Sequence, residues 1–195
     1  MKMYGRRMAR AAAPVIGALA LFATGAVTAP LEAQAAPVGG CACSKPLTVP
    51  TGRGMPAFAI KAPGKANHWI YGSFGSANDA PVDGWISGGT WEKALGRFAS
   101  VRVKDHHKAR YYTRYRCVNT RDGDVKRAQS WYTTVKNRGY NFATNNCLHM
   151  SMAVFKGYSE TLRKDARLKS ATRWTPNDYY EQVLPAARWE TSQSL

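Results

Sequence analysis

Apolar residues recur at intervals of three and four at Val125, Ala128, Trp131, Tyr132 and Val135. That is the period of a helix with one buried face. Asp122-Gly123-Asp124 supplies a turn ahead of it, with Asp124 as N-cap, and Gly139 follows as a C-cap residue. A second helix is expected from Cys147. Cys147, Met150, Ser151, Val154 and Tyr158 fall on one face of it. Asn145 and Asn146 precede it as caps, and Gly157 is its expected stop. Thr175-Pro176-Asn177-Asp178 forms a capping box with proline in the first turn. It opens a last short helix over 179–184, ahead of Pro185.

Between the leader and these helices the pattern is of strands. Ala57-Phe58-Ala59-Ile60 is one short apolar run, and Asn67 to Phe74 reads as another strand, beginning at His68. Residues 75–81 are a loop by composition. Gly84 to Ser87 then returns as a hairpin partner, closed by Gly88-Gly89. Trp91, Leu95 and Phe98 suggest a helical turn. Arg97 to Lys104 alternates apolar and basic positions, which predicts a strand with one wet face. A further strand, dense in Tyr and Arg, leads over 110–118 to Cys117. The combination is α+β: a small antiparallel sheet packed against helices. A chain of 195 residues is enough for one such domain with a real core.

Residues 1–35 stand apart. Lys2, Arg6, Arg7 and Arg10 precede an uncharged run from Ala11 to Ala29, and Ala33-Gln34-Ala35 is a cleavage site. These are the three parts of a secretory signal peptide. The expected organisation is a leader over 1–35, a flexible arm over 36–66 and a single domain over 67–195, secreted after cleavage behind Ala35. The whole chain carries 28 basic and 12 acidic residues, a net +16. Removing four basic residues and Glu32 with the leader leaves +13. For an exported protein this favours anionic wall polymers, acidic peptides or a membrane surface as partners over nucleic acid. The basic residues are spread from Lys45 to Arg188, which makes a diffuse field. A monomer is expected.

The four cysteines are Cys41, Cys43, Cys117 and Cys147. An even count in an oxidising compartment suggests disulfides. A bridge from the 41–43 segment to Cys117 would leave Cys147 free, whereas a Cys117–Cys147 bridge would consume it. A free thiol at a helix N-terminus faces the positive end of the helix dipole, which stabilises the thiolate, the form a nucleophile needs.

Tyr140-Asn141-Phe142-Ala143-Thr144-Asn145-Asn146-Cys147-Leu148-His149-Met150 resembles the circularly permuted branch of the NlpC-type papain-like superfamily. The lecithin:retinol acyltransferase-like relatives in that branch carry Asn-Cys-Glu-His-Phe, whose Glu and Phe are replaced here by Leu148 and Met150. The permuted members place a catalytic His on a strand ahead of the Cys, and Asn67-His68-Trp69-Ile70-Tyr71 is similar to that strand. The resemblance spans roughly residues 66–160. It implies a permuted papain-like fold and a secreted cysteine hydrolase. Cys147 would be the nucleophile and His68 the base, acting as an amidase or peptidase on bacterial cell-wall peptide. Acyl transfer or lipid ester cleavage, and a non-catalytic basic binding or toxin-like protein, are the alternatives. The third group is open among Ser73, Ser87 and Thr90, with Asn145 or Asn146 helping to fix the loop. His149 is expected to serve in packing or at the surface, and His106-His107 to lie in a solvated turn. No cofactor or metal is implied, since no Cys/His cluster has zinc spacing.

Overall fold

The computed structural model describes residues 40–44, 56–74, 84–103 and 106–195. The expected leader and the 75–81 loop lie outside the described residues. The strands are β1 (Gly40–Ser44), β2 (Ala57–Lys61), β3 (Trp69–Ser73), β4 (Gly84–Gly89), β5 (Arg102–Val103), β6 (His106–Arg110), β7 (Arg114–Cys117) and β8 (Gln193–Ser194). The long helices are α1 (Trp91–Ser100), α2 (Val125–Asn137) and α3 (Cys147–Tyr158), with a short α4 (Glu160–Lys164) after them. Six strands form one antiparallel sheet in the order β4-β3-β2-β1-β7-β8, and β5 pairs with β6 separately. The chain is α+β.

β2 and β3 are buried on both faces, which explains why they are apolar without alternation. Phe58, Ile60, Ile70 and Phe74 join one core with α2, α3 and the C-terminal helices. Ala57, Ala59, Trp69 and Tyr71 join a second core with Ala94 and Phe98 of α1. The two sets alternate along the strands because successive side chains point to opposite faces.

Several elements differ from the sequence pattern. The arm over 36–66, expected to end in the one strand that is β2, also supplies the inner strand β1. Residues 97–104 do not form one strand. Thr90 caps α1 by accepting the Lys93 N–H at 3.2 Å, and Ala94 and Phe98, one turn apart, are both fully buried. The helix therefore runs through Ser100 and leaves only Arg102–Val103 to β5. His106 and His107, expected in a turn, have strand backbone in β6. The 110–118 strand shortens to β7.

Gly157 does not stop α3. It lies inside the helix, and a Cβ there would meet Trp131 of α2 at 2.8 Å. Glycine at this position is what lets the two helices approach. The helix ends at Ser159, whose hydroxyl caps α4. Pro185 does not stop the last helix either. Pro176–Asp178 (α5) runs into a π turn at Tyr179–Val183 and on to Leu184–Ala186 (α6). The Leu184 N–H reaches back five residues to the Tyr179 carbonyl. A π turn widens the ladder just ahead of Pro185, where proline would otherwise crowd the carbonyl four residues back.

Asp124 caps α2 as expected, accepting the Arg127 N–H at 2.9 Å, and Gly139 follows the helix with φ +71°. Thr175 accepts the Asp178 N–H at 3.2 Å. No disulfide joins Cys117 to Cys147. The backbone of Cys41 stands directly opposite Cys117. The Cys117 carbonyl accepts the Glu190 N–H at 2.7 Å, on the side away from β1. Cys41 and Cys117 therefore form a non-hydrogen-bonded pair, the closer of the two antiparallel pairings, with Cα atoms about 4.5 Å apart.

Candidate functional site

The loop that leads into α3 is held by its own asparagines. The Asn141 side-chain oxygen accepts the N–H groups of Ala143 and Thr144, both at 3.0 Å, and the Thr144 hydroxyl as well. Asn141 and Asn145 exchange two backbone hydrogen bonds. The buried Asn145 amide donates to the Val135 carbonyl at 2.8 Å and to the Gly139 carbonyl at 2.6 Å. It thus ties the end of α2 to the start of α3. Asn146 donates to the Phe142 carbonyl at 2.9 Å, and its side-chain oxygen accepts the N–H groups of Leu148 and His149.

Cys147 is the first residue of α3 and is half-buried. Two of the N–H groups that would greet an oxyanion there are already bonded to Asn146. The same oxygen lies 2.9 Å from His149 Nδ1. Because that oxygen is fixed as an acceptor by two backbone donors, Nδ1 carries the proton. Nε2 lies 3.4 Å from the Thr172 hydroxyl. His149 thus serves the cap and the Thr172 contact, and burial holds its pKa below the ordinary histidine value.

His68 is elsewhere. The Ser151 hydroxyl donates to the Pro56 carbonyl at 3.2 Å, and the Tyr158 hydroxyl donates to the Lys61 carbonyl at 2.6 Å. These two bonds fix the direction of α3 along β2, with its start at Pro56 and its end at Lys61. His68 leads into Trp69, which pairs with Lys61, and its carbonyl accepts the Ala62 N–H at 2.8 Å. It therefore sits at the Tyr158 end. Cys147 lies a further turn beyond Ser151, at the other end. The axis from Cys147 to Tyr158 is about 16 Å long at ~1.5 Å per residue, several times hydrogen-bond reach. The resemblance pairs Cys147 with His68, and the direction of α3 sets their two segments toward opposite ends of β2.

The chain has four histidines. His106 and His107 lie on β6, in the separate two-stranded sheet. The strand end that faces the start of α3 carries Pro56, which has no group to titrate. Thr90 caps α1, Ser73 is fully buried and Ser87 is exposed on β4. The cavity lined by Pro56, Leu148, Ser151, Met152, Phe155 and Tyr180 has a volume of about 10 Å³, room for at most one water.

What the hairpin of α2 and α3 does present is charge and exposed aromatic surface. From residue 125 to 159 there are five basic residues (Lys126, Arg127, Lys136, Arg138, Lys156) and no acidic one. The large hydrophobic side chains that are exposed among the described residues are Trp131, Tyr140 and Phe142, all on this hairpin. The signal was present in the sequence as two aromatics inside an Asn- and Thr-rich loop, flanked by Lys136 and Arg138. Among the described residues no group of three His, Cys, Asp or Glu is arranged to hold a metal, and no helix is long and apolar enough to cross a membrane.

The site thus belongs to an α+β domain whose cysteine-opened helix runs from the Pro56 end of β2 to its Lys61 end. Comparison with family models gives no match, and neither the curated proteins nor the solved structures match the chain.

Proposed function

We propose that this chain is a basic, exported binding protein for an anionic partner at the bacterial cell envelope, and that it does not work by Cys147–His68 catalysis. The observation that carries this reading is the direction of α3 along β2, which puts the thiol and the ring of His68 at opposite ends of one helix. The acid-free stretch from 125 to 159 supports the anionic partner. The order of a His-bearing strand ahead of a cysteine-opened helix is compatible with a permuted papain-like ancestry in which the catalytic pairing is absent. In the oxidising compartment implied by the leader, Cys41 and Cys117 close a bridge, because non-hydrogen-bonded antiparallel partners fall within disulfide reach. Peptide mapping of the non-reduced secreted protein tests that step, and finding Cys43 joined to Cys117 instead would remove it.

Sedimentation with purified cell-wall sacculi tests the binding. The mature protein is expected to co-sediment at low salt and to be released as ionic strength rises past about 0.15 M, where the screening length falls to ~8 Å. The double substitution Lys136→Glu and Arg138→Glu is expected to weaken binding at least fivefold. Binding that ignores both salt and these charges would refute the reading. The second reading is a cysteine hydrolase, an amidase or peptidase on wall peptide. One observation favours it: Cys147 is half-exposed at the first residue of a twelve-residue helix.

A further inference from the structure

Tyr140 is 66% exposed and Phe142 is 81% exposed. Exposed aromatics are usually found on segments free to move. Here both belong to a loop held by several hydrogen bonds of its own asparagines. The Asn141 side chain takes two N–H groups of the following turn, Asn145 bonds to two carbonyls of the preceding one, and Asn146 holds the Phe142 carbonyl itself. The loop therefore pays little further ordering entropy to present these rings. Trp131, 37% exposed, lies on the same hairpin.

The flanking charge selects the partner. Lys136 and Arg138, both exposed, precede the two aromatics, and no carboxylate lies between Asp124 and Glu160. A hydrated anionic polymer would satisfy the cations and leave the rings in water. A second copy of the chain would bring like charges together. An anionic bilayer satisfies both groups at once. Aromatic side chains settle at the headgroup level, and Lys or Arg beside them meet the negative surface.

We infer that the tip of the α2–α3 hairpin is a membrane-surface contact, in which Tyr140 and Phe142 enter the headgroup region of an anionic bilayer while Lys136 and Arg138 engage its phosphates. The inference rests on the proposed function and narrows its partner. It has a geometric consequence. Cys147 follows the loop directly, so the helix start and its thiol are brought close to the lipid interface.

The experiment uses the mature chain and sedimentation with vesicles of phosphatidylcholine alone or with about one third phosphatidylglycerol. The wild type is expected to partition to the anionic vesicles and not to the neutral ones. Tyr140→Ser with Phe142→Ser is expected to lower that partition at least tenfold, with thermal midpoint and binding to wall sacculi unchanged, since both side chains are exposed. If the double variant partitions like the wild type, the inference is wrong. If the wild type ignores anionic vesicles yet still binds sacculi, the membrane contact falls and the anionic-partner reading stands. Failure to bind either surface removes both. Vesicle-independent sedimentation of the wild type, lost in the double variant, would assign the patch to self-association and also overturn the proposal.

Discussion

Asn145→Asp is expected to destabilise the folded chain by about 3 kcal/mol or more, although it changes only one atom type. The Asn145 amide supplies two hydrogens to two carbonyls, those of Val135 and Gly139. The Val135 carbonyl belongs to the last turn of α2, where carbonyls have no partner within the helix. A carboxylate donates to neither. It would also place negative charge beside two carbonyl oxygens and the negative end of the α2 dipole. Each unsatisfied buried acceptor costs roughly 1–3 kcal/mol, and the repulsion adds to that. Burial and the two carbonyls would raise the new carboxyl's pKa in the folded state above its unfolded value. The sign follows directly. Relative stability would be highest below the unfolded value, near pH 4, and would be lost as pH rises through the folded value. Urea denaturation at pH 3.5 and pH 7 measures this. A variant as stable as the wild type at pH 7 would mean that Asn145 is not the tie between the helices.

The second large effect is expected from glycine, and its sign depends on the neighbour. A Cβ at Gly157 would stand 2.8 Å from the Trp131 ring and 2.9 Å from the Trp131 Cβ. The ring could turn, but its Cβ is fixed by the backbone of α2. Gly157→Leu must push α2 away from α3 and is expected to cost about 3 kcal/mol, at the upper end for overpacking. Gly96, also within a helix, has nothing within 4 Å of its Cβ position. Gly96→Ala is expected to stabilise the protein by about 0.5–1 kcal/mol through helix propensity and reduced unfolded-state entropy. Thermal unfolding of the pair separates propensity from contact. If both variants shift in the same direction, the close approach of α2 and α3 is not what fixes Gly157.

These two residues also mark what could be read in the sequence. The caps were legible because they act within three residues. Asp124, Asn146 and Thr175 each accept the N–H groups that their type and position imply. The apolar strands β2 and β3 were legible because bulk and β-branching suit a buried sheet. Gly40-Cys41-Ala42-Cys43-Ser44 was not, since small residues carry neither alternation nor bulk. It is a strand because β2 and β7 flank it. Gly157 carried the ordinary sign of a helix end and serves a contact with a residue 26 positions earlier in the chain. The same limit applied to the site. The helix start at Cys147 was legible, but which end of β2 it meets depends on Ser151 with Pro56 and Tyr158 with Lys61. Those bonds join residues 95 and 97 positions apart. Local pattern holds no record of such a choice.

The central claim is the proposal that this chain binds its partner and does not work by Cys147–His68 catalysis. The most direct measurement incubates the secreted wild type, Cys147→Ala and His68→Ala with purified peptidoglycan and follows new free amines over time. All three traces are expected to match the protein-free blank. Amine release by the wild type that disappears in both variants would contradict the account and restore the hydrolase.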